Sequence, residues 1–324
     1  MSVQRKARLF TLRDAAVSSK TKVKYQNAAA KFYHHCFNEL SVISERDFDR
    51  VDEVLAQYFE QLYANNESYS TATCTLYGLC LLFPKLYDRT QLCESKLRLK
   101  GWRQLQPSTS YPPLTWEICC AISSVMVLSG HLHHAIATLL SFDCYLRISE
   151  FSNLTINNIV HVGVDQRASR MQQHVEVILA RTKTGRNQSV IVRRPLVASL
   201  ITRFCELRRS ASNGTDEKLF SFSTASYRKS FRRACNMLNL AHIGYTPHSL
   251  RHGGATFDFQ SGVSVPDIKS RGRWQDTKSA HRYIQTGVAL LSLYHVPPFA
   301  FEMGSTVVDN FHDFVELIMS SLQL

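Results

Sequence analysis

The 324-residue chain is short of several features, and each shortage removes a class of protein. Its nine cysteines (36, 74, 80, 93, 119, 120, 144, 205, 235) include no Cys-x-x-Cys pair. That excludes the common zinc-ribbon and thioredoxin patterns and leaves reduced, mostly buried thiols as the expectation. No apolar run reaches the roughly 20 residues of a membrane span. The most apolar region, Ile118 to Leu146, is interrupted by His131, His133 and His134. The opening residues, MSVQRKARLF, lack the apolar centre of a secretory signal. Internal repeats and low-complexity tracts are also missing. Acidic residues are nearly absent from one long stretch, Arg181 to Arg251, where Glu206, Asp216 and Glu217 face fourteen Lys or Arg.

That local shortage of acid matters more than the total charge. The stretch carries +11 of the chain's net +12, so the other 253 residues are close to balanced. A diffuse basic excess is a solubilising surface, but one concentrated in a single segment is an electrostatic footprint for a polyanion. The 44% apolar and 10% aromatic content argues against disorder, and the length accommodates two cores.

Apolar spacing places helices almost continuously from Lys20 to about Arg103. In KVKYQNAAAKFYHHCFNEL the residues Tyr25, Ala28, Ala29, Phe32, Cys36 and Phe37 recur at helical intervals. Asp49–Ala64, Ser70–Leu86 and Leu92–Leu105 follow as further helices, making a small bundle. The Pro- and Ser/Thr-rich QLQPSTSYPP is a linker. Beyond it Thr115 reads as an N-cap, and His131–Cys144 as a helix delivering YLRISEFSNL. After Leu154 the period falls to two, giving strands at Asn158–Val164, His174–Arg181 and Gln188–Arg193. The last two are joined by a polar, Gly-containing turn, residues 182–187. Helices resume at Pro195–Arg209 and Thr224–Leu240. Asp276 reads as the cap of a helix carrying Tyr283, and Val307–Leu322 as an amphipathic tail helix. The fold class expected is mainly α with a small antiparallel β-sheet.

Chemistry-bearing residues stand at Arg147, Lys183, His248, Arg251, Trp274 and Tyr283. Taken singly, each has an ordinary reading as a surface cation, a turn lysine or a core aromatic. Together they are the parts of a phosphoryl-transfer site. Two guanidiniums can clamp non-bridging phosphate oxygens and stay protonated. Donors fixed on developing charge are worth on the order of 3 kcal/mol each. A phenol, with a free pKa of about 10, needs cations and a base before it can attack. The leaving 5′ oxygen needs an acid, and a hairpin lysine can supply it. Arg181, Arg186, Arg228, Lys229, Arg232 and Arg233 are the expected phosphate-backbone contacts. His131, His133 and His134, and the pair His34 and His35, read as helical histidines, since no carboxylate or cysteine completes a metal set.

In order and spacing these residues resemble the tyrosine recombinase (phage integrase) family, closest to Cre-type members. LRISE matches the first catalytic arginine, Arg147, with the supporting acid Glu150 at +3. ARTKTG matches the hairpin lysine, Lys183, and TPHSLRHGGAT the His-x-x-Arg box of His248 and Arg251. GRW, followed nine residues later by the Tyr of HRYIQ, matches the His/Trp position and the nucleophile, Tyr283. The resemblance is strongest over residues 113–285.

It implies a basic arm (1–18), a helical core-binding domain (19–105), a linker (106–113) and a mixed α/β catalytic domain (114–300) that together grip double-stranded DNA. It further implies attack by Tyr283 to give a 3′-phosphotyrosine, without metal, ATP or other cofactor, within a homotetramer on two DNA sites. The C-terminal helix, 301–324, would dock on a neighbouring protomer or pack on its own domain. Trp274 stands where histidine is commoner, and Arg273 where many relatives have glycine. The setting implied is intracellular and off the membrane: nuclear in a eukaryote, cytoplasmic or nucleoid otherwise. A catalytically silent DNA-binding protein and a type IB topoisomerase-like enzyme are the competing readings.

Overall fold

Helix starts along the chain fall where a short polar side chain precedes an apolar period. Asp47, Ser68, Thr115, Ser223, Ser264 and Asp276 each accept a hydrogen bond from the backbone N–H three residues on. The structure, a computed structural model, describes residues 16–39, 47–107, 110–162, 174–181, 186–211 and 217–323. Backbone contacts divide the chain into two units, 1–109 and 110–324.

Among the described residues of the first unit are α1 (Ser19–Glu39), α2 (Phe48–Ala64), α3 (Tyr69–Leu82) and α4 (Cys93–Leu105). They enclose Phe32, Leu55, Phe59, Leu79 and Trp102. The third helix stops at Leu82 rather than the expected Leu86, because Pro84 opens a separate 3-10 turn. Helix α4 begins after Leu92, whose φ of 54° and aliphatic side chain offer no cap. Asp52 on α2 caps it instead, its carboxylate accepting from the Glu94 and Ser95 N–H groups at 2.8 Å each.

The second unit holds α5 (Trp116–Leu128), α6 (Leu132–Cys144), α7 (Ile148–Phe151), β1 (Ile159–Val162), β2 (His174–Arg181) and β3 (Arg186–Ile191). It continues through α8 (Pro195–Ser210), α9 (Thr224–Met237), α10 (Pro247–Gln260), α11 (Val265–Arg271) and α12 (Thr277–His281). Last come α13 (Thr286–Leu293), α14 (Pro298–Asp309) and α15 (Phe311–Ser321). The fold is mainly helical with one small antiparallel sheet, in the order β1-β2-β3. Val175, Val177 and Leu179 alternate inward along β2, and Val177 pairs with Val190. The third strand begins two residues earlier than expected, since the ladder extends to the Arg181–Arg186 pair.

Helix α5 is apolar nearly all round and buried, with α6, α9 and α14 packed about it. Helix α10 lies on α6, which sets the His-x-x-Arg segment beside the Tyr145–Arg147 chain. The tail departs from the single helix expected. It breaks at Asn310, so that α14 packs on α5 and α15 on α8. Gly304 makes the first contact possible: a Cβ there would sit 2.0 Å from the Glu117 carbonyl oxygen. Phe311, Phe314, Val315 and Ile318 are buried within their own unit.

Candidate active site

Tyr145 is where the site begins. It ends α6 with φ 49°, turning the chain so that its carbonyl points at α10 and Arg147 enters α7. Glu150 folds back on that entry. Its carboxylate accepts from the Arg147 backbone N–H at 2.9 Å and from the Arg147 guanidinium at 2.5 Å. Burial alone would raise the Glu150 pKa, but Arg273, the Arg147 N–H and the nearby guanidiniums outweigh it and hold it below the usual value.

Arg251 is completely buried. Its guanidinium donates to the Tyr145 carbonyl and, at 2.5 Å, to the Gly272 carbonyl. It lies 4.6 Å over the Trp274 ring and 5.2 Å over that of Tyr283. Burial, then repulsion from Arg147 and Arg273, pushes its pKa down to about 9, so it remains cationic at neutral pH. The sequence suggested a free clamp; here part of the Arg251 fork is committed to holding two chain segments together.

Tyr283 follows α12 rather than lying within it, because the helix ends at His281 and a turn closes from the Tyr283 N–H to the Ala280 carbonyl. Its hydroxyl is 3.3 Å from Nε2 of His248. Its ring contacts His252 at 4.4 Å and Trp274 at 4.6 Å between centroids. Thr256 fixes the backbone on both sides, donating to the Tyr283 carbonyl at 3.0 Å and accepting from the Gln285 N–H at 3.1 Å. A phenol beside an imidazole acceptor and under a guanidinium can lose its proton and attack an electrophile.

Trp274 is buried as a ring partner, and among the described residues its indole N–H finds no hydrogen-bond acceptor. Gly272 leaves room for the indole, since a Cβ there would fall 1.9 Å from the ring.

Four residues beyond the expected set contribute to the site. His252 is i+4 from His248 on α10, a spacing that was legible. Its pKa is pushed down to about 3 by burial, then by His248 and Arg251, so it is neutral. Thr256 continues the same helical face. Tyr111, assigned to the linker, sets its ring edge against His248 at 5.3 Å. Arg273 reaches Glu150 at 3.0 Å from a left-handed backbone position.

Of the expected backbone contacts, Arg228 and Arg232 line a groove of about 790 Å³ together with Arg147, His248 and Tyr111. Lys229 and Arg233 are exposed on α9 but do not line it. Lys183 lies outside the described residues, and the side chains of Arg181 and Arg186 are outside them as well. His134 stacks on Phe222 and Tyr227, and His133 accepts from the Ser221 N–H. Among the described residues no group of three or more His, Cys, Asp or Glu is placed to hold a metal.

The sequence model described as the phage integrase family matches residues 120–288. No curated protein matches the chain. Among solved structures, the Tn1549 transposon integrase in complex with transposon right-end DNA is 15% identical, covering 86% of this chain and 95% of its own, with a TM-score of 0.60. A lambda integrase dimer bound to a COC′ core site is 12% identical over 85% of this chain and 92% of its own, at 0.58. The XerH site-specific recombinase, bound to palindromic difH substrate as a post-cleavage complex, is 15% identical over 79% and 75%, at 0.57. At these identities the likeness is one of fold.

Proposed function

Because the chain belongs to the phage integrase family of tyrosine-type DNA recombinases, we propose that it cuts and rejoins DNA at specific sites through a 3′-phosphotyrosine on Tyr283. The observation that carries this reading is the Tyr283 hydroxyl held 3.3 Å from His248 Nε2, with the Arg251 cation over its ring. The phenol oxygen attacks the scissile phosphorus as its proton passes to His248, and the bond to the 5′ oxygen breaks. Lys183 protonates that leaving oxygen. Arg147, together with Arg251 and Trp274, donates to the non-bridging oxygens on which negative charge develops. The new phosphotyrosyl ester conserves the energy of the broken one. A 5′-hydroxyl from a partner strand then reverses the step, with neither ATP nor metal.

Double-stranded DNA is the proposed partner, engaged along the groove bordered by Arg228 and Arg232. The proposed assembly is a homotetramer on two DNA sites, with strand exchange through a Holliday junction. The tail helices contact α5 and α8, and Leu290 and Leu291 on α13 and Tyr294 just after it, within eleven residues of Tyr283 in sequence, are exposed and apolar, which suits a contact between protomers. The 1–18 arm, the 19–105 core-binding domain and the 114–300 catalytic domain are the proposed division of labour. The enzyme works in the compartment that holds its DNA.

Duplexes carrying a nick just 3′ of the scissile phosphate trap the covalent intermediate, because the released fragment diffuses away. The reading predicts a denaturation-resistant adduct with the wild-type protein and none with Tyr283→Phe. Shifted but uncleaved DNA across all candidate sites would support a silent DNA-binding protein. Relaxation of any plasmid, without a preferred site or strand exchange, would support a topoisomerase.

A further inference from the structure

Arg273 immediately precedes Trp274 and occupies the left-handed region, with φ 57°. A side chain there is strained, and glycine would relieve the strain. The guanidinium is nevertheless buried and well partnered. It donates to the Arg271 carbonyl at 3.0 Å, the Cys144 carbonyl at 3.4 Å, the Tyr145 carbonyl at 3.1 Å and Glu150 Oε2 at 3.0 Å. Two of these acceptors are shared with other arginines. Glu150 also binds Arg147, and the Tyr145 carbonyl also receives Arg251. Three guanidiniums thus converge on one carboxylate and one carbonyl.

We infer that Arg273 is a positioning residue for phosphodiester cleavage, a buried strut that fixes the two clamp arginines relative to each other through Glu150 and Tyr145. The inference rests on the recombinase reading. Without Arg273, Glu150 answers to Arg147 alone, and the Tyr145 carbonyl to Arg251 alone. A local charge of +2 (three guanidiniums, one carboxylate) would fall to +1 beside the phosphate. Bidentate reach across two acceptors needs a planar fork, which lysine lacks. The backbone strain also has a purpose on this view: the left-handed turn aims the side chain back under α7 while Trp274 faces Tyr283.

The test uses the full-length chain, the nicked duplex that traps the wild-type adduct, and Arg273→Gly, Arg273→Lys, Glu150→Gln and the Arg273→Gly/Glu150→Gln double variant. Failure of the wild type to form an adduct would sink the recombinase reading itself. With a wild-type adduct in hand, Arg273→Gly is expected to bind the duplex within about threefold of wild type. Its single-turnover cleavage should be about 100-fold slower, the scale of a misplaced catalytic group. Arg273→Lys should fall between the two.

Arg273 is the largest of the influences that lower Glu150. The acid limb of the cleavage profile should therefore move to higher pH in Arg273→Gly, since Glu150 then protonates sooner and releases Arg147. In the Glu150→Gln background, Arg273→Gly should cost much less than it does alone. A wild-type rate and unmoved acid limb in Arg273→Gly would overturn the inference. So would a loss confined to DNA affinity, or full additivity of the two substitutions. If Arg273→Gly does not fold, Arg273→Lys and Glu150→Gln carry the rate and pH comparison.

Discussion

Replacing Arg251 with alanine removes a fully buried guanidinium that is both the proposed active-site cation and a structural tie. The Gly272 carbonyl loses its donor, while the Tyr145 carbonyl keeps Arg273. Each buried acceptor left short costs about 1–3 kcal/mol. The cation lies 4.6 Å over the Trp274 ring, a contact worth roughly 0.5–2 kcal/mol when desolvated. Relief of repulsion from Arg147 and Arg273 offsets a little of this. The expected loss is therefore about 2–5 kcal/mol, a large part of a domain's stability. For a unit the size of residues 110–324, that is a fall of about 4–20 °C in melting temperature. Tyr283→Phe sets the contrast: it removes one hydroxyl in a 3.3 Å contact and should change stability by no more than about 1 kcal/mol. Urea unfolding of wild type, Arg251→Ala, Arg251→Lys and Tyr283→Phe separates the two roles, with lysine intermediate. An Arg251→Ala protein melting within 2 °C of wild type would refute the tie, and loss of cleavage in it would then report on chemistry alone.

Further outcomes follow from the same geometry. Asp52→Ala strips α4 of its cap and should cost about 1–3 kcal/mol, seen as faster amide exchange at Glu94 and Ser95. Binding to duplex DNA should weaken with salt at a log–log slope of roughly −5 if six cations meet phosphates. Arg228→Ala and Arg232→Ala should each make that slope shallower by about 1. A slope near zero would remove the electrostatic argument. Burial, then His131 and His133, pushes the His134 pKa down to about 4. The unfolded chain therefore binds the extra proton first, and stability should fall as pH drops from about 6.5 toward that value. The urea midpoint at pH 7 and pH 5 measures this, and His134→Phe should shrink the difference.

How much of this was legible in the sequence depends on the range of the interaction. Caps at Thr115 and Asp276 and the inward alternation of Val175, Val177 and Leu179 are local patterns, and the chain follows them. What local pattern misses is a partner supplied from elsewhere. The cap of α4 comes from Asp52, some 40 residues away. Tyr111 reads as linker because nothing near it in sequence announces His248. The tail's apolar period runs smoothly through Asn310, yet two helix faces at different angles satisfy α5 and α8 better than one. Arg251 reads in the sequence only as a phosphate clamp, because an arginine's burial is set by carbonyls that only the fold brings to it. Arg273 looked like a departure at a glycine position, and its positive φ marks the place where the chain carries strain to seat a guanidinium.

The mechanism stands or falls on whether Tyr283 becomes esterified to DNA. Peptide mapping by mass spectrometry of the adduct trapped on a nicked duplex tests it most directly. A single modified peptide containing Tyr283 is expected, linked to the 3′-phosphate, with a free 5′-hydroxyl on the released strand. Linkage to another residue or to a 5′-phosphate, or no adduct on a duplex the protein recombines, would contradict it.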